Sequence, residues 1–325
     1  MPAMWSPGPT HSMLLGLVLA IAVPAAVAVA DEPEPLNEPA GWSSITTAEE
    51  VMARIDQPEL LLIDVRSAED YAEGHLPGAI NIPGRDWRTP PGAPGESNQY
   101  VFREADGSAD ISRYEALLSD HGVTRDHAIV VYGNHAGRGD GSMPLVLLHW
   151  LGHADAAFLD GIGVDQWQQA GGQLTTEPRT LPPSDYRAQP DPDWLWQLED
   201  VRAWLADSGE KRPILLDNRS AGEYSGEEPG VNRHGGHIPG AIHFNFEDFL
   251  TEDRTTVSPA EVLERLAAEG ITRDRRIVLY CQTSTRISLP ILLLRDLGFD
   301  QLSVYDAGWH EYGNRDDTPI ATGRP

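Results

Sequence analysis

The strongest constraint on this chain is that it repeats itself once. Residues 122–133, "GVTRDHAIVVYG", and residues 270–281, "GITRDRRIVLYC", match at an offset of 148 (270 − 122 = 281 − 133 = 148). Upstream, "LLIDVRSAEDYAEGHLPGAINIP" (61–83) answers "ILLDNRSAGEYSG" and "GHIPGAIHF" (214–226 and 236–244). Downstream, "LVLLHWLGHADAAFLDG" answers "LPILLLRDLGFDQLSVYDAG". Three blocks in one order require a duplicated unit. A period near 150 residues is that of a whole domain rather than a solenoid repeat.

Each half has the same grammar. A short apolar run ending in aspartate (60–64 and 214–217) has the length and composition of a buried strand. A short polar helix follows, then a Gly-His-x-Pro-Gly-Ala turn into another strand. An amphipathic helix comes next, 112–122 in the first half and 258–270 in the second. In the latter Ser258 is placed to cap, Glu261 to complete a capping box and Gly270 to stop the helix. A fully apolar strand (129–132, 277–280), a loop, an apolar helix and a last strand (156–159, 301–305) complete the unit. Alternating strands and helices define an α/β fold, a mostly parallel sheet with helices on both faces. The reading divides the chain into residues 1–30, 31–41 (Pro-rich), 42–175, a linker at 176–192, and 193–325. A Pro/Gly-rich insertion at 85–97 in the first half reads as a surface loop.

Net charge is −26, which excludes a nucleic-acid partner because phosphate binding needs a basic face. It equally disfavours an anionic membrane surface. An anionic substrate would need a local cluster of arginines working against the overall field. Residues 14–23 form a ten-residue apolar run, too short to span a bilayer, and Ala28-Val29-Ala30 fits a signal-peptidase site. Export to the periplasm or medium, with a mature chain starting near Asp31 and no stable membrane insertion, is the expectation. An uncleaved anchor is the alternative, since residues 1–12 contain no Lys or Arg.

Export sharpens a second feature: Cys281 is the only cysteine. It cannot form an internal disulfide, so it is an inert buried thiol, an intermolecular bridge or a reactive group. Its position favours reactivity. Ligands of parallel sheets bind at the carboxyl ends of strands, beside the N-termini of following helices, where a thiolate is stabilised. In "YCQTSTR" (280–286), Thr283, Ser284 and Thr285 could add hydroxyl donors and Arg286 a positive charge. Pro290 suits the first turn of the next helix. The twin of Cys281 is Gly133, so the thiol is not required to build the fold.

The Asp-x-Arg strand ends, the Gly-His-x-Pro-Gly-Ala turns, the Tyr-Cys strand before its short loop and the ending "YDAGWHEYGNRDDTPI" together resemble the tandem rhodanese sulfurtransferases, from about residue 42 to 322. The resemblance implies two rhodanese-like domains, the first catalytically silent. It implies transfer of sulfane sulfur from thiosulfate to cyanide or a thiol through a persulfide on Cys281, with no metal or organic cofactor; the chain is expected to be a monomer. It also implies that Arg219 faces the donor's anionic group, with a structural ion pair as the alternative. Arg286 either binds anion or braces the loop through a carboxylate, and Gln282, Thr283, Ser284 and Thr285 line the loop. Arg233 and His234 are candidate substrate contacts. Asp217 and His237 are structural supports, the latter matched by His75 in the silent half. Trp309 packs at the site wall. Cys-x4-Arg is one residue shorter than the Cys-x5-Arg of rhodanese-like phosphatases, which favours sulfur over phosphate. The alternatives are 3-mercaptopyruvate as donor, and a low-turnover sulfur carrier. Ser284 stands where similar bacterial loops have glycine, so a left-handed backbone there would be strained.

Overall fold

The computed structural model of the protein describes residues 1, 4, 43–90, 100–134 and 141–323. The expected leader and Pro-rich segment therefore lie outside the described residues apart from Met1 and Met4, as do 91–99 of the insertion and 135–140 of the first-half loop. Every element below belongs to one compact unit, Leu36–Pro325. Among the described residues no helix is long and apolar enough to cross a membrane.

Two five-stranded sheets form. The first comprises β1 (Ile45–Thr46), β2 (Leu60–Asp64), β3 (Ile80–Asn81), β4 (Ala128–Tyr132) and β5 (Ala156–Leu159), in the order β1-β5-β4-β2-β3. The second comprises β6 (Leu195–Trp196), β7 (Ile214–Asp217), β8 (Ile242–His243), β9 (Ile277–Tyr280) and β10 (Leu302–Tyr305), in the order β6-β10-β9-β7-β8. All strand pairs are parallel. The apolar runs follow from this: parallel strands covered on both faces must bury every side chain. Alternate residues separate into two cores. Leu61, Ile63, Ile129 and Val131 enter one, while Leu60, Leu62, Val130 and Tyr132 enter another. The first of these cores also takes Ile214, Leu216, Ile277 and Leu279, so the two halves share one continuous apolar interior.

Local chemistry starts and stops the helices close to the expected positions. Ser258 and Glu261 form the reciprocal capping box of Pro259–Ala268, and Gly270 adopts φ +64 beyond its end. In the first half Asp110 caps Ile111–Asp120, so that helix begins before residue 112. The insertion is a loop only in part: Gly84–Trp87 is a 3-10 turn whose Trp87 is fully buried. Residues 176–192 contain no helix or strand, yet Tyr186 is buried and Ser184 N–H donates to Ser119 C=O. This connection is strapped along the first half.

The halves meet about a pseudo-two-fold axis. Past the first-half loop, two residues longer than its counterpart, the offset is 146. Ser142 Oγ lies 2.6 Å from Ser288 Oγ (288 − 142 = 146). His149 Nε2 lies 3.2 Å from Arg295 Nη1 (295 − 149 = 146). Equivalent residues thus touch one another, as in an isologous dimer fused into one chain.

Candidate active site

Cys281 directly follows β9 at the carboxyl edge of the second sheet, and it is fully buried. The backbone around it is clamped from the segment after β10. Trp309 N–H donates to Cys281 C=O at 2.8 Å, and His310 N–H to Gln282 C=O. Gly308 permits this approach: it adopts φ +56, and a Cβ there would lie 2.4 Å from the Cys281 carbonyl oxygen.

The loop residues divide by role. Ser284 is buried in left-handed backbone, φ +62, one of two described non-glycine residues with positive φ. Its hydroxyl donates to the Asp306 carbonyl at 2.7 Å, which offsets part of the conformational cost. Gln282 is held by Asn232 through a reciprocal amide pair, 2.6 and 3.1 Å. Thr283 and Thr285 are half-buried, and the Thr285 carbonyl accepts the Ser288 hydroxyl. Ser288 begins the helix Ser288–Asp296 that carries the chain away from the thiol, with Pro290 in its first turn.

Arg286 forms a two-point ion pair with Glu223, Nη1–Oε2 2.5 Å and Nη2–Oε1 2.9 Å. Burial would weaken its charge, but the Glu223 carboxylate and the nearby Cys281 sulfur raise its pKa further above the usual range. Glu223 is pushed up by burial, yet Arg286 and the Ser220 N–H bring it down to about 2. Both members are therefore charged at neutral pH, and the Arg286 charge interacts with the Cys281 sulfur. Arg286 thus has the carboxylate partner that its bracing role calls for.

Arg219 makes the structural ion pair that was one of its two expected roles. It is 1% exposed, and its Nε and Nη2 pair with both Asp217 oxygens while Nη2 also donates to the Gly236 carbonyl at 2.7 Å. Its guanidinium lies 4.4 Å from the centre of the buried Trp309 ring. Its Nε and Nη2 are thereby tied to the support of the site. Arg219→Ala would leave Asp217 buried beside the Tyr280 hydroxyl without its counter-charge. The expected result is a loss of about 3–5 kcal/mol in denaturant unfolding, with KM for an anionic donor unchanged in the folded fraction. A raised KM with unaltered stability would return Arg219 to the substrate.

The remaining candidates sit around this frame. Arg233 and His234 turn outward toward Asp316, 2.7 and 3.5 Å, on the surface. His237 stacks on Tyr224 at 3.6 Å, bonds the Tyr224 carbonyl and bridges to Ala321. Its twin His75 does the same with Tyr71 and Thr175. Recurrence in both halves marks this as turn support. At Gly133, the twin of the thiol, an added Cβ would lie 3.0 Å from Gly141 Cα and Val65 Cγ2, so a side chain there would crowd its neighbours.

Glu223, Asn232 and Asp306 escaped the sequence reading. Glu223 follows Ser220 by three positions and reads as a helix cap, which it also is. Asn232 lies in a segment without a first-half counterpart. Nothing local distinguishes Asp306. Among the described residues no cluster of His, Cys, Asp or Glu could hold a metal ion.

The model of the rhodanese-like domain matches the chain twice, at residues 47–170 and 197–315. The thiosulfate sulfurtransferase of Azotobacter vinelandii is 32% identical over 276 residues, covering 83% of this chain and 94% of that protein. A probable 3-mercaptopyruvate sulfurtransferase of Pseudomonas aeruginosa is 29% identical over 292 residues, covering 86% and 99%. Among solved structures, the anaerobic ergothioneine biosynthesis enzyme from Chlorobium limicola, in complex with trimethyl histidine, superposes with a TM-score of 0.72 at 25% identity. That match covers 87% of this chain and 71% of the other.

Proposed function

Since the chain belongs to the rhodanese family of sulfurtransferases, we propose that it carries sulfane sulfur on Cys281, taking it from thiosulfate and passing it to cyanide or a thiol. The observation that carries this reading is the thiol itself: a single cysteine at the carboxyl end of β9, beside the Glu223-braced Arg286, and replaced by glycine in the duplicate half.

The chemistry is two displacements at sulfur. The Cys281 thiolate attacks the outer sulfur of thiosulfate; a new S–S bond forms, and sulfite departs with the electron pair of the broken bond. The acceptor nucleophile then attacks the terminal sulfur of the persulfide, and the Cys281 thiolate leaves. No net electrons are exchanged with the protein, and the site must favour an anion in both resting states. Arg286 serves that requirement. Its bracing by Glu223 keeps the guanidinium in place without an energetic demand on the donor.

The test is stoichiometric loading followed by turnover. Incubation with thiosulfate is expected to add the mass of one sulfur atom per chain, with one equivalent of sulfite released, and cyanide to remove that sulfur as thiocyanate. Faster turnover with 3-mercaptopyruvate would reassign the donor. Loading without appreciable turnover would make the protein a carrier, and loading by neither donor would end the reading.

Charge sets a second expectation. With a net charge of −26, the chain repels a dianionic donor at long range. Raising ionic strength shortens the Debye length from about 30 Å at 0.01 M to about 10 Å at 0.1 M. The value of kcat/KM for thiosulfate is expected to rise severalfold over that range, the reverse of an electrostatically steered enzyme. A fall would mean that local positive potential at the entrance outweighs the whole-molecule field.

We further propose export, as the sequence of residues 1–30 suggests. Mass measurement of the protein recovered from its source would then give a mature chain beginning near Asp31.

A further inference from the structure

The silent half reaches the catalytic loop through a buried ion pair. Arg103, on the segment before the helix Ile111–Asp120, places Nη2 2.5 Å from Asp306 Oδ1, and Val101 N–H donates to Asp306 Oδ2 at 3.1 Å. Asp306 is 1% exposed, so these two groups from the first half fix a carboxylate that has no contact with water. Arg103 is itself anchored by donation to the Gly107 carbonyl. Asp306 in turn begins the clamp around the thiol. Its carbonyl accepts the Ser284 hydroxyl, and the three residues after it include Gly308 and Trp309, which press on and bond to the Cys281 carbonyl.

The mirror-image contact isolates what is special here. Asp160, the twin of Asp306 (306 − 160 = 146), accepts hydrogen bonds from Thr256 N–H and Oγ of the opposite half. The duplicated frame thus supplies an aspartate-to-partner contact on both sides of the axis. On the catalytic side the partner contributes an arginine, and there the aspartate carries a strained loop residue.

We propose that Arg103 is a positioning residue for sulfur transfer: by fixing Asp306 it holds Ser284 in left-handed backbone and so sets the curl of the loop around Cys281. The inference rests on the sulfurtransferase reading above. It gives the first half a task, since the loop geometry is completed by a residue from the domain without the thiol. Arg103 acts through Asp306 and touches no reacting atom.

The experiment compares variants in two backgrounds. Arg103→Ala is made in the natural chain and in Ser284→Gly, where glycine adopts the left-handed backbone without help. Because an unpaired buried Asp306 can prevent folding, Arg103→Gln with Asp306→Asn, a neutral pair of similar size, is made in parallel. Rates are expressed per folded chain, the folded fraction being taken from circular dichroism, so that loss of folded protein does not register as loss of rate. In the natural background, kcat is expected to fall about tenfold with KM for thiosulfate unchanged, as for a displaced reacting group. Arg103→Lys is expected to restore part of it. In the Ser284→Gly background the same changes are expected to cost less than about twofold, a non-additivity that a purely structural role would not produce. An unchanged kcat per folded chain, or equal losses in both backgrounds, would overturn the proposal. The alkylation rate of Cys281 by iodoacetamide is followed in every variant. It reports loop geometry even if the natural chain transfers sulfur from neither donor, so failure of the functional reading is told apart from failure of this one.

Discussion

Replacement of Cys281 by serine is expected to lower thiosulfate-to-cyanide sulfur transfer by at least about a thousandfold, to the uncatalysed background, as loss of a nucleophile does elsewhere. A hydroxyl at this position cannot hold the transferred sulfur, and no other described or undescribed residue supplies a thiol, because Cys281 is the only cysteine of the chain. The change is close to isosteric. It buries a hydroxyl where a sulfur stood, which costs about 1–3 kcal/mol if no partner is found. Denaturant unfolding should therefore show a folded protein of somewhat lower stability, with sulfur loading gone from its mass spectrum. Persistence of thiocyanate formation in Cys281→Ser would refute the persulfide mechanism outright.

Gly308→Ala has the next largest expected effect, and it acts through backbone alone. The methyl group would stand 2.4 Å from the Cys281 carbonyl oxygen and 3.0 Å from that of Gln282, with the residue held at φ +56. Neither neighbour is a flexible side chain end. The two backbones must part, which would break the hydrogen bonds from Trp309 and His310 that clamp the thiol-bearing residue and the one after it. Crowding and left-handed strain together cost on the order of 3 kcal/mol. Both the unfolding midpoint and kcat per folded chain should fall. An alanine variant with unaltered kcat would mean that the clamp after β10 has no part in placing the sulfur.

How far the site could be foreseen depended on the range of the interactions that build it. Strand and helix types were visible in residues 60–64, 277–280 and 258–270 because their periodicity and caps are local. Arg219 shows where local reasoning stops. Its motif permits either a donor contact or an ion pair, and the choice depends on burial under Trp309, which lies 90 positions further on (309 − 219). Ser284 was legible as a departure from glycine. That it sits at φ +62, and what compensates for it, depends on a carbonyl 22 residues away. Arg286 and Glu223 are separated by 63 residues, and only Arg286 was singled out, as the closure of the loop.

The sequence by itself determined the duplication, the parallel α/β architecture, the single thiol and its silent twin. These are properties of repeated blocks and short periods, and each is written within a few consecutive residues. The tertiary structure alone decided that Arg219 pairs with Asp217 beneath Trp309, that Glu223 braces Arg286, and that Arg103 of one half grips Asp306 of the other across 203 positions. Such pairs form because a buried charge must find its partner wherever folding brings one within reach, and no local pattern in the chain records which partner that will be.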